Sequence, residues 1–97
     1  MEEVLYYNEL YDLYGTFLTE KQRLYFEDYY FQNLSLSEMA ENYDVSRNAI
    51  FKQLKITKEK LEQFEESLNL YKKKEKLNEI MKTIQDENLK EQLENIL

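Results

Sequence analysis

SLSEMAENYDVSRNAIFKQLKITK, residues 35 to 58, carries the pattern of two helices joined by a tight turn. Ser35 can accept from a free amide at the start of a helix, and Glu38, three residues on, can reach back to the serine amide. Leu36, Met39 and Ala40 begin an apolar face, and that pattern stops at Tyr43. Asp44 and Val45 form the connection, with Val45 expected to plug the space between the helices, and Ser46 caps the second helix. Ala40 and Ala49 are small enough to let the helices cross closely. Where such a motif reads nucleic acid, the second helix enters a major groove led by its N-terminal residues, which here are Arg47, Asn48, Phe51, Lys52 and Lys55.

On the N-terminal side the spacing predicts a helix over residues 3 to 18 with two adjacent stripes. Tyr6, Leu10, Leu13 and Phe17 make one, and Tyr7, Tyr11, Tyr14 and Leu18 the other. One stripe is expected on the helix-turn-helix and the second on either the C-terminal chain or a second copy of the protein. Gly15 is expected to reverse the chain near the end of this helix. Thr19 with Gln22 has the capping-box spacing and opens a helix to about residue 31. There Gln22, Tyr25, Phe26 and Tyr29 share a face, Leu24 and Phe31 lie on another, and Glu20, Glu27 and Asp28 are left to solvent. Ten of the 14 aromatics fall between Tyr6 and Phe31. Tyrosine has an apolar body and a polar tip, so this cluster suits the rim of a small core; a base-stacking platform is the alternative.

C-terminal to the motif, Ile50, Leu54, Thr57, Leu61, Phe64, Leu68 and Tyr71 recur at spacings of 4 and 3. This heptad seam predicts that the recognition helix continues as one rod to about residue 76, packed either within the chain or against a second subunit. Lys72, Lys73, Lys74 and Lys76 read as a solvated face or, more sharply, as a phosphate-facing cluster. Leu77, Ile80, Met81 and Ile84 continue an amphipathic pattern, Asp86 and Asn88 interrupt it as caps, and Leu89, Leu93, Ile96 and Leu97 finish on a short helix. The expected division is a helix-turn-helix domain with its seam over residues 1–71 and a C-terminal helical tail over 72–97.

The composition points to an all-α chain of 97 residues, with no proline and one glycine among many helix formers. Neither cysteine nor histidine occurs, which removes thiol chemistry, the usual zinc sites and the commonest general base. With 20 acids in the chain, neighbouring carboxylates such as Glu65 and Glu66 carry no catalytic weight. No glycine loop can cradle a phosphate, so the expectation is no enzyme, no cofactor, no metal and no small-molecule substrate. The acidic N-terminus without a basic leader and the lack of a long apolar run lead to a soluble cytoplasmic protein with no membrane span. The net charge of −7 is uneven: residues 1–43 carry −7, residues 44–60 carry +3 and residues 61–97 carry −3. Positive charge therefore collects on the recognition helix, where it either solvates one side or meets a polyanion in a salt-dependent manner.

Over residues 11–71 the chain resembles the YlxM family of small bacterial helix-turn-helix proteins. LYGTFLTEKQR, SLSEMAE and DVSRNAI, in that order and spacing, carry the likeness. A weaker similarity runs to region 4 of the bacterial sigma factors, in the LTEKQR leader, the S-x-x-E start of the first motif helix and the V-S-R-x-A-I turn. The YlxM resemblance implies a regulatory part in the signal recognition particle pathway, because genes of that family lie beside those of the particle's GTPase or its receptor. On that footing the surface of Arg47, Asn48, Phe51, Lys52 and Lys55 would contact the particle's RNA or its GTPase. The sigma likeness implies a DNA-binding transcriptional regulator instead, and a third reading is a homodimeric helical adaptor acting through the tyrosine-rich face. Phe51 departs from a promoter reader's polar pattern, which leaves the core side or a protein contact open for it.

Overall fold

The protein, as a computed structural model, is described over residues 2–96; Leu97, expected on the last helix, lies outside the described residues. Capping residues set the helix boundaries. Thr19 Oγ1 accepts from the Gln22 amide at 3.2 Å while Gln22 Oε1 accepts from the Thr19 amide at 3.1 Å. Ser35 and Glu38 repeat the exchange at 3.0 and 3.1 Å. These reciprocal pairs satisfy amides that a helix start leaves free. The order is α1 (Glu2–Tyr14), a 3-10 turn (Gly15–Phe17), α2 (Glu20–Tyr30), α3 (Leu36–Tyr43), α4 (Arg47–Leu68), α5 (Leu70–Met81) and α6 (Glu87–Glu94).

Two adjoining cores hold these helices. Tyr7, Leu10, Tyr14 and Leu18 close on Phe26 and Leu61, and Tyr25 with Met39, Ala40, Ile50 and Leu54 forms the core of the helix-turn-helix. Both stripes of α1 find neighbours in the same chain. Tyr11 stacks on Phe26 with ring centroids 4.5 Å apart, and Tyr6 meets Tyr71 of α5 edge-on at 5.2 Å. Phe17, expected in the first stripe, is exposed because the 3-10 turn rotates it away from the α-helical register. Gly15 has no positive φ; its role is space, since a Cβ there would come within 3.1 Å of the Tyr11 ring.

The expected continuous rod to residue 76 is not formed. Asn69 adopts the left-handed conformation, with φ 56° and ψ 27°, and ends α4 one residue before α5 begins. The cause is Glu65, which is buried beside the seam. Its Oε1 accepts from the Tyr14 hydroxyl at 2.7 Å and from the Tyr71 amide at 2.9 Å, and its Oε2 accepts from the Lys72 amide at 3.2 Å. The Tyr14 hydroxyl in turn accepts from the Leu70 amide at 3.1 Å. Three free amides of α5 are thus satisfied from α4 and α1, and a new helix start is stabilised where a straight rod would have none of these bonds. Thr57, the polar member of the seam, is fully buried and donates to the Gln53 carbonyl at 2.7 Å. Beyond α5 the tail is loosely held: Met81 is buried, Ile80 is exposed, and α6 contributes no buried residue. Asp86 caps α6 by accepting from the Asn88 and Leu89 amides, so Asn88 is a donor within the helix and not a cap.

Glu27 and Asp28, expected in solvent, are half-buried acceptors for Tyr11, at 2.6 Å, and for Tyr43. Burial and its bond to Glu65 push the Tyr14 phenol up to about 12, and bonds to Asp28 and Glu75 followed by burial do the same for Tyr43 and Tyr71. Tyr7 and Tyr11 are raised as well, by burial and by their bonds to Glu62 and Glu27. Because the fold favours the neutral phenol, this contribution to stability is full below the unfolded value of about 10 and is lost as pH rises through the folded values. Helical circular dichroism should therefore hold to about pH 10 and collapse as pH approaches 12. Replacing Glu65 by Ala leaves a hydroxyl and two amides without their acceptor, and urea unfolding should register a loss of about 2–4 kcal/mol.

Candidate nucleic-acid interface

The turn between α3 and α4 is closed by backbone groups. Asp44 sits in the left-handed region at φ 54° and ψ 48°, and the Val45 amide donates to the Ala40 carbonyl at 3.0 Å. Val45 does not plug the interhelical space: its side chain is exposed, and fully buried Met39 and Ile50 fill that space instead. Tyr43 anchors the end of α3 on α2 by packing against Tyr25, with centroids 4.7 Å apart, and by donating to Asp28. Ser46 Oγ accepts from the Ala49 amide at 3.0 Å, which starts α4 at Arg47. The leading end of α4 is therefore fixed in direction by a cap below and a packed turn behind.

All five residues expected to form the interface are exposed and lie together. With Ile50, Leu54, Thr57 and Leu61 facing the core, helical periodicity places Arg47 and Phe51 along one outer edge and Asn48, Lys52 and Lys55 along the next. Phe51 is 55% exposed, so it belongs to the surface and not to the core side. Among the described residues the ion pairs are Lys58 with Glu3, Lys74 with Glu9 and Lys90 with Glu87. Arg47, Lys52 and Lys55 take part in none of them. The partial positive charge of a helix start adds to theirs. One helical turn further on, Glu59 and Glu62 turn the same side acidic, with Glu62 accepting from Tyr7. On this side of α4 the cationic surface is confined to the first turns of the helix.

Beside Phe51 lies a groove that the helical spacing alone does not reveal. Tyr29 and Tyr30 from the end of α2, Leu36 from the start of α3, and Phe51, Lys55 and Lys58 from α4 line an open cavity of about 370 Å³ over Leu54 and Tyr7. Lys58 stands over the Tyr7 ring at 4.9 Å from its centroid and pairs with Glu3 at 3.2 Å. The register Phe51, Lys55, Lys58 was the available signal for this edge; what faces it comes from a helix more than 20 residues earlier in the chain. Of the other basic run, Lys74 pairs with Glu9 at 3.6 Å and Lys72, Lys73 and Lys76 are exposed. Among the described residues no group of three or more acidic side chains is arranged to hold a metal ion, and no helix is long and apolar enough to cross a membrane.

Two capped helices around a tight turn, supported by two N-terminal helices and continued by a long second helix, define an all-α helix-turn-helix protein. A family model described as "Putative helix-turn-helix protein, YlxM / p13 like" matches residues 1–97, and the chain belongs to that family. Relatives include a UPF0122 protein of Halalkalibacterium halodurans, 43% identical over 86 residues, which span 89% of this chain and 79% of the relative. One from Geobacillus kaustophilus is 42% identical over 86 residues, 89% of this chain and 78% of the relative. Another, from Malacoplasma penetrans, is 49% identical over 84 residues, 87% of this chain and 78% of the relative.

Because Arg47, Asn48, Phe51, Lys52 and Lys55 face outward while Ser46 holds the helix start, stability and surface chemistry should separate on substitution. Ser46→Ala should cost about 1 kcal/mol in chemical denaturation, whereas Lys52→Ala should stay within about 0.5 kcal/mol of the parent.

Proposed function

We propose that this chain is a regulatory nucleic-acid-binding protein of the bacterial signal recognition particle pathway, docking on the particle's RNA through Arg47, Asn48, Phe51, Lys52 and Lys55. The observation that carries the reading is the set of three exposed cations at the start of α4 that make no ion pair among the described residues, in a chain whose net charge is −7. The pathway itself comes from the YlxM resemblance. A-form RNA has too narrow a major groove to admit α4, so the contacts are to phosphates flanking an irregular or unpaired region. The particle's GTPase is the protein partner implied by the same resemblance, and the setting is the cytoplasm.

Duplex DNA is a second reading, favoured by the unobstructed leading end of α4 on the second motif helix. A homodimeric adaptor acting through the tyrosine-rich face is the third, favoured by the exposure of Tyr29 and Phe31 in that aromatic segment. Binding measurements distinguish the three. The particle's RNA, titrated by fluorescence anisotropy, should lose about 20- to 40-fold in affinity between about 50 and 200 mM salt, as release of counterions from about three phosphate contacts requires. The Arg47→Ala, Lys52→Ala double variant should bind at least tenfold more weakly at low salt and show a shallower salt slope. A consensus recovered from random duplex DNA, together with no affinity for the RNA, would transfer the protein to the second reading. A stable dimer on light scattering with neither nucleic acid bound would transfer it to the third.

A further inference from the structure

Resting on the RNA reading, we propose that the groove between α2 and α4 receives a single unpaired base, so that the protein distinguishes RNA with an extruded nucleotide from a continuous helix. The groove, of about 370 Å³, lies at the low end of the range for small-molecule sites, which is room for one flat base and none for a duplex. Its walls are aromatic. Tyr29 and Phe51 are exposed on either side, and Tyr30 meets Tyr29 edge-on with centroids 5.1 Å apart. Aromatic faces with cations beside them are what an unstacked base and its phosphates need, because every base offers a π-face whatever its identity.

The groove is continuous with the cationic surface. Phe51 and Lys55 belong to both, so a strand whose phosphates meet Arg47, Lys52 and Lys55 passes the mouth of the groove with its bases within reach. Charge also sets the orientation. Glu59 and Glu62 lie about 6 and 10 Å beyond Lys55 along the α4 axis and line the same groove, so phosphates are repelled at that end. The acceptors there suit the exocyclic amine of adenine, cytosine or guanine, which uracil lacks. Lys58 is held over Tyr7 by its contact with Glu3, leaving a fixed cation against the ring system.

The test uses two RNA hairpins that differ only in one bulged 2-aminopurine nucleotide, present in the first and deleted in the second. The chain contains no Trp, so the fluorescence of the analogue can be followed directly. The bulged hairpin should bind about 5- to 150-fold more tightly, the range that one base–aromatic stack supplies, and its fluorescence should be quenched on binding. Tyr29→Ala should reduce that ratio to about one and abolish the quenching, while Tyr29→Phe should keep both. Lys52→Ala should weaken the two hairpins by the same factor, as a phosphate contact does. Equal binding of the two hairpins by the parent protein, or an unchanged ratio in Tyr29→Ala, would overturn the groove assignment and leave the phosphate-docking reading in place. Failure to bind either hairpin at low salt would overturn both.

Discussion

Glu65 accepts a hydroxyl from α1 and two amides from the start of α5 while sitting almost fully buried on α4, and the course of the chain turns on that contact. A carboxylate buried without partners would cost several kcal/mol; here its oxygens are occupied and the positive end of α5 lies against it. The same contact ends α4 at Leu68, ties α1 to the C-terminal half and sends α5 back along α1, where Tyr71 reaches Tyr6. With α4 held from behind in this way, its leading end stays fixed relative to the helices that flank the groove. Positioning of the cationic surface therefore depends on a residue about three to five turns away from it.

That contact is one case of a wider solution to the composition. Tyr7, Tyr11, Tyr14, Tyr43 and Tyr71 each donate to a carboxylate, on Glu62, Glu27, Glu65, Asp28 and Glu75 respectively. Four of these phenols give the hydroxyl to an acid at or near the surface and Tyr14 gives its to the buried Glu65, so five of the 20 acids are engaged by phenols of the same chain. None of these five carboxylates belongs to the first turns of α4, where Arg47, Lys52 and Lys55 make no ion pair among the described residues. A chain of strongly negative net charge can in this way present a local cationic patch.

Helix boundaries were legible where the capping chemistry is local. The pairs Thr19 with Gln22 and Ser35 with Glu38, and Ser46 with the Ala49 amide, form as their spacing implies. The outward placement of Arg47, Asn48, Phe51, Lys52 and Lys55 was legible too, because three of the four seam positions up to Leu61 are apolar and fix which side of α4 faces outward. The break at Asn69 was not, since the heptad spacing runs through it unchanged; the decisive partner, Tyr14, is 51 residues from Glu65 in the chain. Glu27 and Asp28 were hidden in the same way, as charged residues whose phenol partners come from other helices. Val45 misled because a branched apolar residue in a turn reads as a plug, whereas its amide is what closes the turn. The groove required tertiary structure altogether: Tyr29 and Tyr30 face Phe51 only once α2 and α4 have packed.

In the proposed function, nucleic acid is met by the leading end of α4 and not by the C-terminal arm. Amide chemical-shift mapping during titration with the particle's RNA addresses it residue by residue. Perturbations should concentrate on residues 46–58 with the end of α2 and the start of α3, while α5 and α6 stay unmoved. Perturbations confined to α5 and α6, with Arg47 to Lys55 unchanged, would contradict it.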